Sequence, residues 1–234
     1  MLFYVFLVVF SILYCVATVP WLIVVPIGLR NAVSVAGVKV ILFFCRAIDG
    51  ISYEVEGRDK LPDGPYIVAA EHQSPLETMI LFVEFARVCF VMKREVLFIP
   101  VFGIYQKILR MVFIEPESGT LSLRKMLREC AARAKEGRTI IIFPEGTRTL
   151  KNDRTDANYY AGVAMLYQQL KMPVVPVALN TGKFWPYSYI TLKKQRGKAT
   201  LRILQHIEPG LSREEFMQKF KELMIEGSRD LDVT

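Results

Sequence analysis

His72 is followed five positions later by Glu77, in the run His72-Gln73-Ser74-Pro75-Leu76-Glu77. A neutral imidazole can accept a proton at pH 7. A carboxylate on its other ring nitrogen fixes the tautomer and stabilises the imidazolium as it forms. Further along, the chain reads Phe143-Pro144-Glu145-Gly146-Thr147-Arg148. Arg148 offers a planar fork able to hold two phosphate oxygens. Gly146 lets the backbone approach an anion closely. Glu145 can accept from a hydroxyl or orient Arg148. A general base paired with an anion clamp suits acyl transfer to a phosphorylated alcohol.

These residues need elements that bring them together. Tyr66 to Ala70 reads as a short buried strand that delivers Glu71 and His72 at its end. Pro75 suits the first turn of a helix to about Phe85, with Ser74 as its cap. His72 then sits in the loop and Glu77 in the first turn, so one can fold onto the other. Thr139 to Phe143 is a strongly apolar strand that runs directly into the second motif. Further strands are expected over Ile51–Val55, Val88–Met92, Val112–Ile114, Val174–Leu179 and Thr200–Leu204. A helical stretch containing Pro100 and Gly103 precedes Val112. Helices are expected over Ser118–Gly137 and Asn158–Leu170. A last helix to about Ser228 starts at Ser212, with Glu215 completing a capping box. Strands alternate with helices, which predicts an α/β fold with a mostly parallel central sheet flanked by helices. Both motif loops come directly after strands, so they can meet at one edge of the sheet, where ligands bind in open α/β folds.

The N-terminus differs from the rest. Met1 to Leu29 contains no Asp, Glu, Lys or Arg. A basic n-region and a small-residue cleavage site are missing, so this reads as a retained element and not a signal peptide. Leu2 to Val19 is unbroken and apolar, and Pro20 and Pro26 interrupt the residues after it. A second apolar stretch, Ala32 to Ile48, carries Lys39 and Arg46. Two readings stay open: a spanning helix, or a two-helix element that dips into one leaflet and snorkels its cations to the headgroups. Either places the remainder of the chain on the cytoplasmic side. Residues 1–48 are thus expected to be a membrane-associating helical element ahead of a catalytic domain over 49–234.

The chain has 234 residues, enough for one sizeable core, and 52% of them are hydrophobic. Thirty Lys and Arg against 23 Asp and Glu give a net charge of +7, which fits an anionic membrane or phosphorylated ligands. No nucleic-acid motif appears. Four scattered cysteines in apolar contexts read as buried reduced thiols, and with two histidines a zinc site is not expected. His206 lacks company and is taken as structural. Lys151 and Arg154 read as a solvated basic loop. A Gly-x-Ser-x-Gly elbow, a Walker A motif, Gly-x-Gly-x-x-Gly and His-Glu-x-x-His are all absent, which favours direct transfer without a serine acyl-enzyme.

Four blocks in order carry a family resemblance: His72 to Glu77; Lys93 through Pro100 to Gly103; Phe143 to Arg148; and Val174-Val175-Pro176-Val177 ending near Asn180. The chain resembles the glycerophospholipid acyltransferases, in particular the 1-acyl-sn-glycerol-3-phosphate acyltransferases, over residues from about 50 to 205. The resemblance implies His72 as base and the acid at position 77 as its orienter. It implies Lys93 and Arg148 on the acceptor phosphate, Glu145, Gly146 and Thr147 lining the acceptor site, and Pro176 shaping the acyl side. The implied substrates are lysophosphatidic acid and an acyl thioester, carried by CoA or by acyl carrier protein. Neither a metal nor a bound cofactor is called for, and no nucleic acid. The expected location is the cytoplasmic membrane. Two residues depart from the family pattern: Glu77 replaces the usual aspartate, and Glu71 stands where asparagine is common. Glu71 is therefore a rival partner for His72. Another lysolipid acceptor, such as a lyso-ornithine lipid, and a non-catalytic membrane-binding protein of the same fold remain alternatives.

Overall fold

The computed structural model describes residues 1–115, 119–148, 159, 161–186 and 194–231. The chain opens with α1 (Leu2–Leu22) and α2 (Ile27–Phe44). A π-helical turn over Cys45–Asp49 extends α2, and Gly50 (φ 69°) ends it in the left-handed region open to glycine. Next come β1 (Ile51–Glu56), β2 (Ile67–Ala70), α3 (Pro75–Glu84), β3 (Val88–Lys93), α4 (Phe102–Ile108), β4 (Val112–Ile114) and α5 (Gly119–Lys135). The chain continues through β5 (Thr139–Ile142), α6 (Gly162–Leu170), β6 (Val174–Leu179), α7 (Thr181–Phe184), β7 (Gly197–Ile203) and α8 (Arg213–Ser228).

The strands form one seven-stranded sheet in the order β1-β7-β6-β2-β5-β3-β4. From β6 to β4 all neighbours run parallel. β7 meets β6 antiparallel and takes β1 with it in parallel, so this edge pair is reversed. The central strands are buried along their whole length, as expected where helices cover both faces. The fold thus matches the expected α/β class, with the reversed pair as the refinement. The expected start of the helix at Asn158 lies outside the described residues, as does Ser118; the described helices begin at Gly162 and Gly119. The expected helix around Pro100 is divided: a 3-10 turn covers Arg94–Phe98, and α4 starts after the proline. The capping box at Ser212 and Glu215 forms as the sequence predicts.

The parallel run has a direct consequence for function. β6, β2, β5 and β3 all end on the same edge of the sheet. Along that edge stand Thr181 after β6, His72 after β2, the Phe143–Arg148 segment after β5, and Lys93 at the tip of β3. Ala69 of β2 lies beside Pro176 of β6 and Ile142 of β5, so β2 and β5 leave the sheet at nearly one level while β6 runs on to Leu179.

α1 and α2 form an antiparallel hairpin. The Tyr14 hydroxyl donates to Val33 O (2.6 Å), and the Phe6 and Phe44 rings lie 4.2 Å apart. Close contact depends on Gly37: a Cβ there would fall 2.6 Å from the Tyr14 ring. α1 runs through Pro20 to Leu22 and does not stop before it. The proline sits in the last turn, so the one N–H hydrogen bond it removes lies at the end of the helix. Both helices are long and apolar enough to cross a membrane by length and composition.

Two contacts fasten the hairpin. At its turn, Arg30 donates to Ile23 O, Val25 O and, across to α4, Ile108 O (3.1, 2.8 and 3.1 Å). At its open end, Lys194 Nζ lies 3.9, 4.1 and 3.8 Å from the ring centroids of Phe3, Tyr4 and Trp185. The same ammonium pairs with Asp49 at 2.5 Å. Burial pulls Lys194 below the usual lysine range, and the Asp49 carboxylate works against that shift. An ammonium shared by three rings and one carboxylate bolts the first turn of α1 to the chain around α7.

Removing this ammonium leaves a partly buried carboxylate and an empty aromatic cage. Lys194→Ala should cost about 3 kcal/mol. In detergent solution this should appear as a fall of roughly 6–12 °C in Tm. An unchanged Tm would show that the hairpin is held by other contacts.

Candidate active site

Ser74 sits in extended conformation ahead of α3, with Pro75 at the first helical position, and its hydroxyl accepts from Leu76 N at 3.0 Å. Glu77 is the third helical residue, and its carboxylate reaches back to Ser74 N at 2.7 Å, completing a capping box. The spacing Ser74-x-x-Glu77 carries the same signal as Ser212-x-x-Glu215, although only the latter was expected as a box. Glu77 therefore has two tasks. One oxygen accepts from Ser74 N, from Gln73 N at 2.9 Å and from His72 Nδ1 at 2.8 Å. The other accepts from the Thr181 hydroxyl at 2.6 Å.

Glu77 has no solvent exposure, while the His72 side chain keeps 15%. A buried carboxylate fixed by donors on both oxygens cannot swing away. It holds Nδ1–H of the imidazole and leaves Nε2 as the acceptor. The extra methylene of Glu77, relative to aspartate, does not prevent the contact, because the first turn of α3 sets the carboxylate back from the loop. Glu71 is not the competitor that the sequence suggested. Its carboxylate turns toward β6 and accepts from Leu179 N at 3.0 Å. Gln73 completes this layer: its amide donates to Leu179 O and accepts from Gly182 N, at 2.9 and 3.0 Å. The loop that carries His72 is thus stitched to the start of α7.

On its other side, the His72 ring stacks on Phe143, with centroids 4.1 Å apart and planes within 17°. Phe143 in turn stacks on Phe90 of β3. The two sequence motifs therefore touch directly, through a residue to which the sequence assigned no role. Past Phe143 the chain turns: Gly146 N donates to Phe143 O at 3.0 Å, with Pro144 at the favoured corner and Gly146 at φ 62°. Glu145 is buried, Gly146 and Thr147 are exposed, and Arg148 is partly buried. Lys93 is exposed two strands from His72, or ~10 Å at ~4.8 Å per strand. Pro176 lies inside the sheet, buried beside Ala69, about three residues below the rim. Lys151 and Arg154 lie outside the described residues. His206 bonds Lys60 O and Glu208, a structural arrangement. The cysteines are free, three of them buried.

The edge therefore gathers a proton acceptor on a fixed carboxylate, an aromatic wall, and cationic residues on the strands to one side. Sequence reasoning missed Thr181, Gln73 and Phe143. The first of these joins Glu77 across a long stretch of chain, through the β6–β2 pairing alone.

Glu77 also stabilises the fold, and this can be measured apart from any activity. Ser74→Ala should cost about 1 kcal/mol as a lost cap. Glu77→Ala should cost about 3 kcal/mol or more, because two backbone donors and the Thr181 hydroxyl lose their buried acceptor. Denaturant titration would check both, and equal losses would show that Glu77 is no more than a cap.

Comparison with known proteins identifies the family and the fold. The Acyltransferase family model matches residues 52–180. A 1-acyl-sn-glycerol-3-phosphate acyltransferase of Pseudomonas aeruginosa is 32% identical over 145 residues, 62% of this chain and 56% of that protein. The Saccharomyces cerevisiae enzyme of the same name is 28% identical over 188 residues, 78% of this chain and 61% of that protein. The chain thus matches somewhat more than half the length of these curated relatives. The crystal structure of the 1-acyl-sn-glycerophosphate (LPA) acyltransferase PlsC from Thermotoga maritima superposes with a TM-score of 0.65 at 25% identity. It covers 97% of this chain and 96% of that one. With a family model that spans more than half its residues, this chain belongs to the acyltransferase family.

Proposed function

We propose that the protein transfers a fatty acyl group from acyl-CoA or acyl carrier protein to the 2-hydroxyl of lysophosphatidic acid, giving phosphatidic acid. The observation that carries this is His72, held at Nδ1 by Glu77 and stacked on Phe143 at the head of the Arg148 segment. The names of the relatives support the reaction class and the acceptor. In this reading the lysolipid hydroxyl lies against His72 Nε2. As its oxygen attacks the thioester carbonyl, the proton passes to His72. The C–S bond breaks, and the thiolate leaves as thiol on taking that proton. Glu77 supports the transient imidazolium, and the low polarity of its surroundings strengthens that attraction.

Lys93 and Arg148 bind the acceptor phosphate, and Glu145, Gly146 and Thr147 line its glycerol. The ~10 Å between the strands of His72 and Lys93 leaves room for a glycerol phosphate and two side chains. Pro176, deeper in the sheet, bears on the acyl side. Thr181 is a positioning residue, acting through Glu77.

In this reading the two apolar helices of the hairpin hold the chemistry at a membrane, which their length and composition support. The hairpin turn is tied to Ile108, so the tip stays beside the domain. A hairpin that crossed the bilayer upright would carry α4 across with it. This favours one leaflet, with the domain on the cytoplasmic side and Lys39 and Arg46 at the anionic headgroups.

His72→Ala should lower phosphatidic acid formation by at least the ~10²–10⁴ of general-base catalysis. Thr181→Val should lower kcat about tenfold and leave the KM for the lysolipid nearly unchanged. Arg148→Ala should raise that KM far more than the KM for the acyl donor. Steady-state kinetics on mixed micelles would decide. Near wild-type turnover of His72→Ala would rule out the mechanism, and equal damage to both KM values would make Arg148 structural.

A further inference from the structure

The segment between β3 and α4 does the opposite of what burial would select. Phe98 is 77% exposed, Ile99 50%, Phe102 48% and Ile104 57%. Single exposed apolar side chains are ordinary, but four within one tight turn form a patch. The turn is also strained. Val101, a β-branched residue, takes φ 67°, a conformation costly for it. Gly103 packs so tightly that a Cβ would fall 2.2 Å from Leu97 O. Short backbone bonds from Phe102 N to Pro100 O (2.7 Å) and from Gly103 N to Ile99 O (2.9 Å) lock the bend. A rigid, strained turn that presents phenylalanine and isoleucine outward is built to meet something apolar.

We propose that this turn, residues 98–104, inserts among the acyl chains of the same leaflet as the hairpin and anchors the rim of the active site to the lipid. The proposal rests on the reading of the chain as a membrane-bound enzyme. Three observations select lipid as the occupant. The turn continues the apolar outer face of the hairpin: α4 packs against α1, and Arg30 ties α4 to the hairpin turn. Exposed cations flank it, with Lys93 and Arg94 before it and Lys107 and Arg110 after it; Arg94 pairs with Glu115 and Arg110 with Glu136, which leaves Lys93 and Lys107 nearest the headgroups. Apolar residues ringed by Lys and Arg are the pattern of an interfacial element on an anionic bilayer. Finally, the chain enters the turn from Lys93, at the tip of β3 on the edge that carries His72. A lysolipid sliding along the leaflet would thus meet the site without leaving the hydrocarbon.

The test uses the full chain and vesicles of phosphatidylcholine with phosphatidylglycerol. Phe98→Ser with Phe102→Ser should weaken vesicle binding about tenfold per phenylalanine, roughly a hundredfold together. Turnover on lysolipid dispersed in detergent micelles should stay near wild type. A second variant guards against misfolding. Phe102→Trp in a Trp21→Phe background, which keeps the buried Trp185, should be quenched by lipids brominated on their tails beyond the Trp21→Phe protein alone. Vesicle binding equal to wild type, or no quenching at position 102, would overturn the proposal and point to a protein partner for this patch. If wild-type protein itself ignores vesicles, the membrane reading falls along with it.

Discussion

The structure turns on a buried carboxylate whose oxygens are both engaged. Glu77 has no exposure and takes hydrogen bonds from His72, Gln73, Ser74 and Thr181. A buried charge is tolerated only when it is paired and hydrogen-bonded. Each of its donors therefore constrains a separate part of the chain. Ser74 fixes the start of α3, Gln73 the loop that carries the histidine, and Thr181 the turn after β6. The same anion that begins a helix also sets the tautomer of a base. Fold and chemistry share one group, so a change to it would register in both stability and turnover.

Around that group, sheet topology does the positioning. Parallel β6, β2, β5 and β3 end on one edge, which turns positions remote in sequence into neighbours spaced by strand separations of ~4.8 Å. Phe143 closes the gap between His72 and the segment that ends at Arg148 by stacking on the imidazole. The reversed β1–β7 pair starts at this end of the sheet, on the far side of β6, and provides a flank on which the chain around Trp185 and Lys194 meets the hairpin. Arg30 at one end and Lys194 at the other then hold that hairpin against the domain.

Much of this was legible in the chain. The apolar runs at Ile67, Thr139 and Val174 are short and dense, and buried parallel strands read that way. The His72–Glu77 spacing and the Ser212–Glu215 box are local, and local geometry derives from spacing. Thr181 was not legible, because its role exists only once β6 lies beside β2, and strand order is not written in periodicity. The stacking of Phe143 on His72 depends on the register of β2 with β5 for the same reason. Pro20 reads as a helix breaker, yet the helix absorbs it in its final turn. Val101 gave no signal at all: nothing in Ile99-Pro100-Val101-Phe102 announces a left-handed valine.

The central claim is that the edge carrying His72 moves an acyl group onto a lysolipid, and thiol release tests it most directly. Purified protein would be given a long-chain acyl-CoA, and separately a long-chain acyl carrier protein, each with and without lysophosphatidic acid. Thiol release should depend on the lysolipid and match phosphatidic acid formed one for one. Release that ignores the lysolipid would contradict the central claim and make the protein a hydrolase, and no release with either donor would remove the transferase reading altogether.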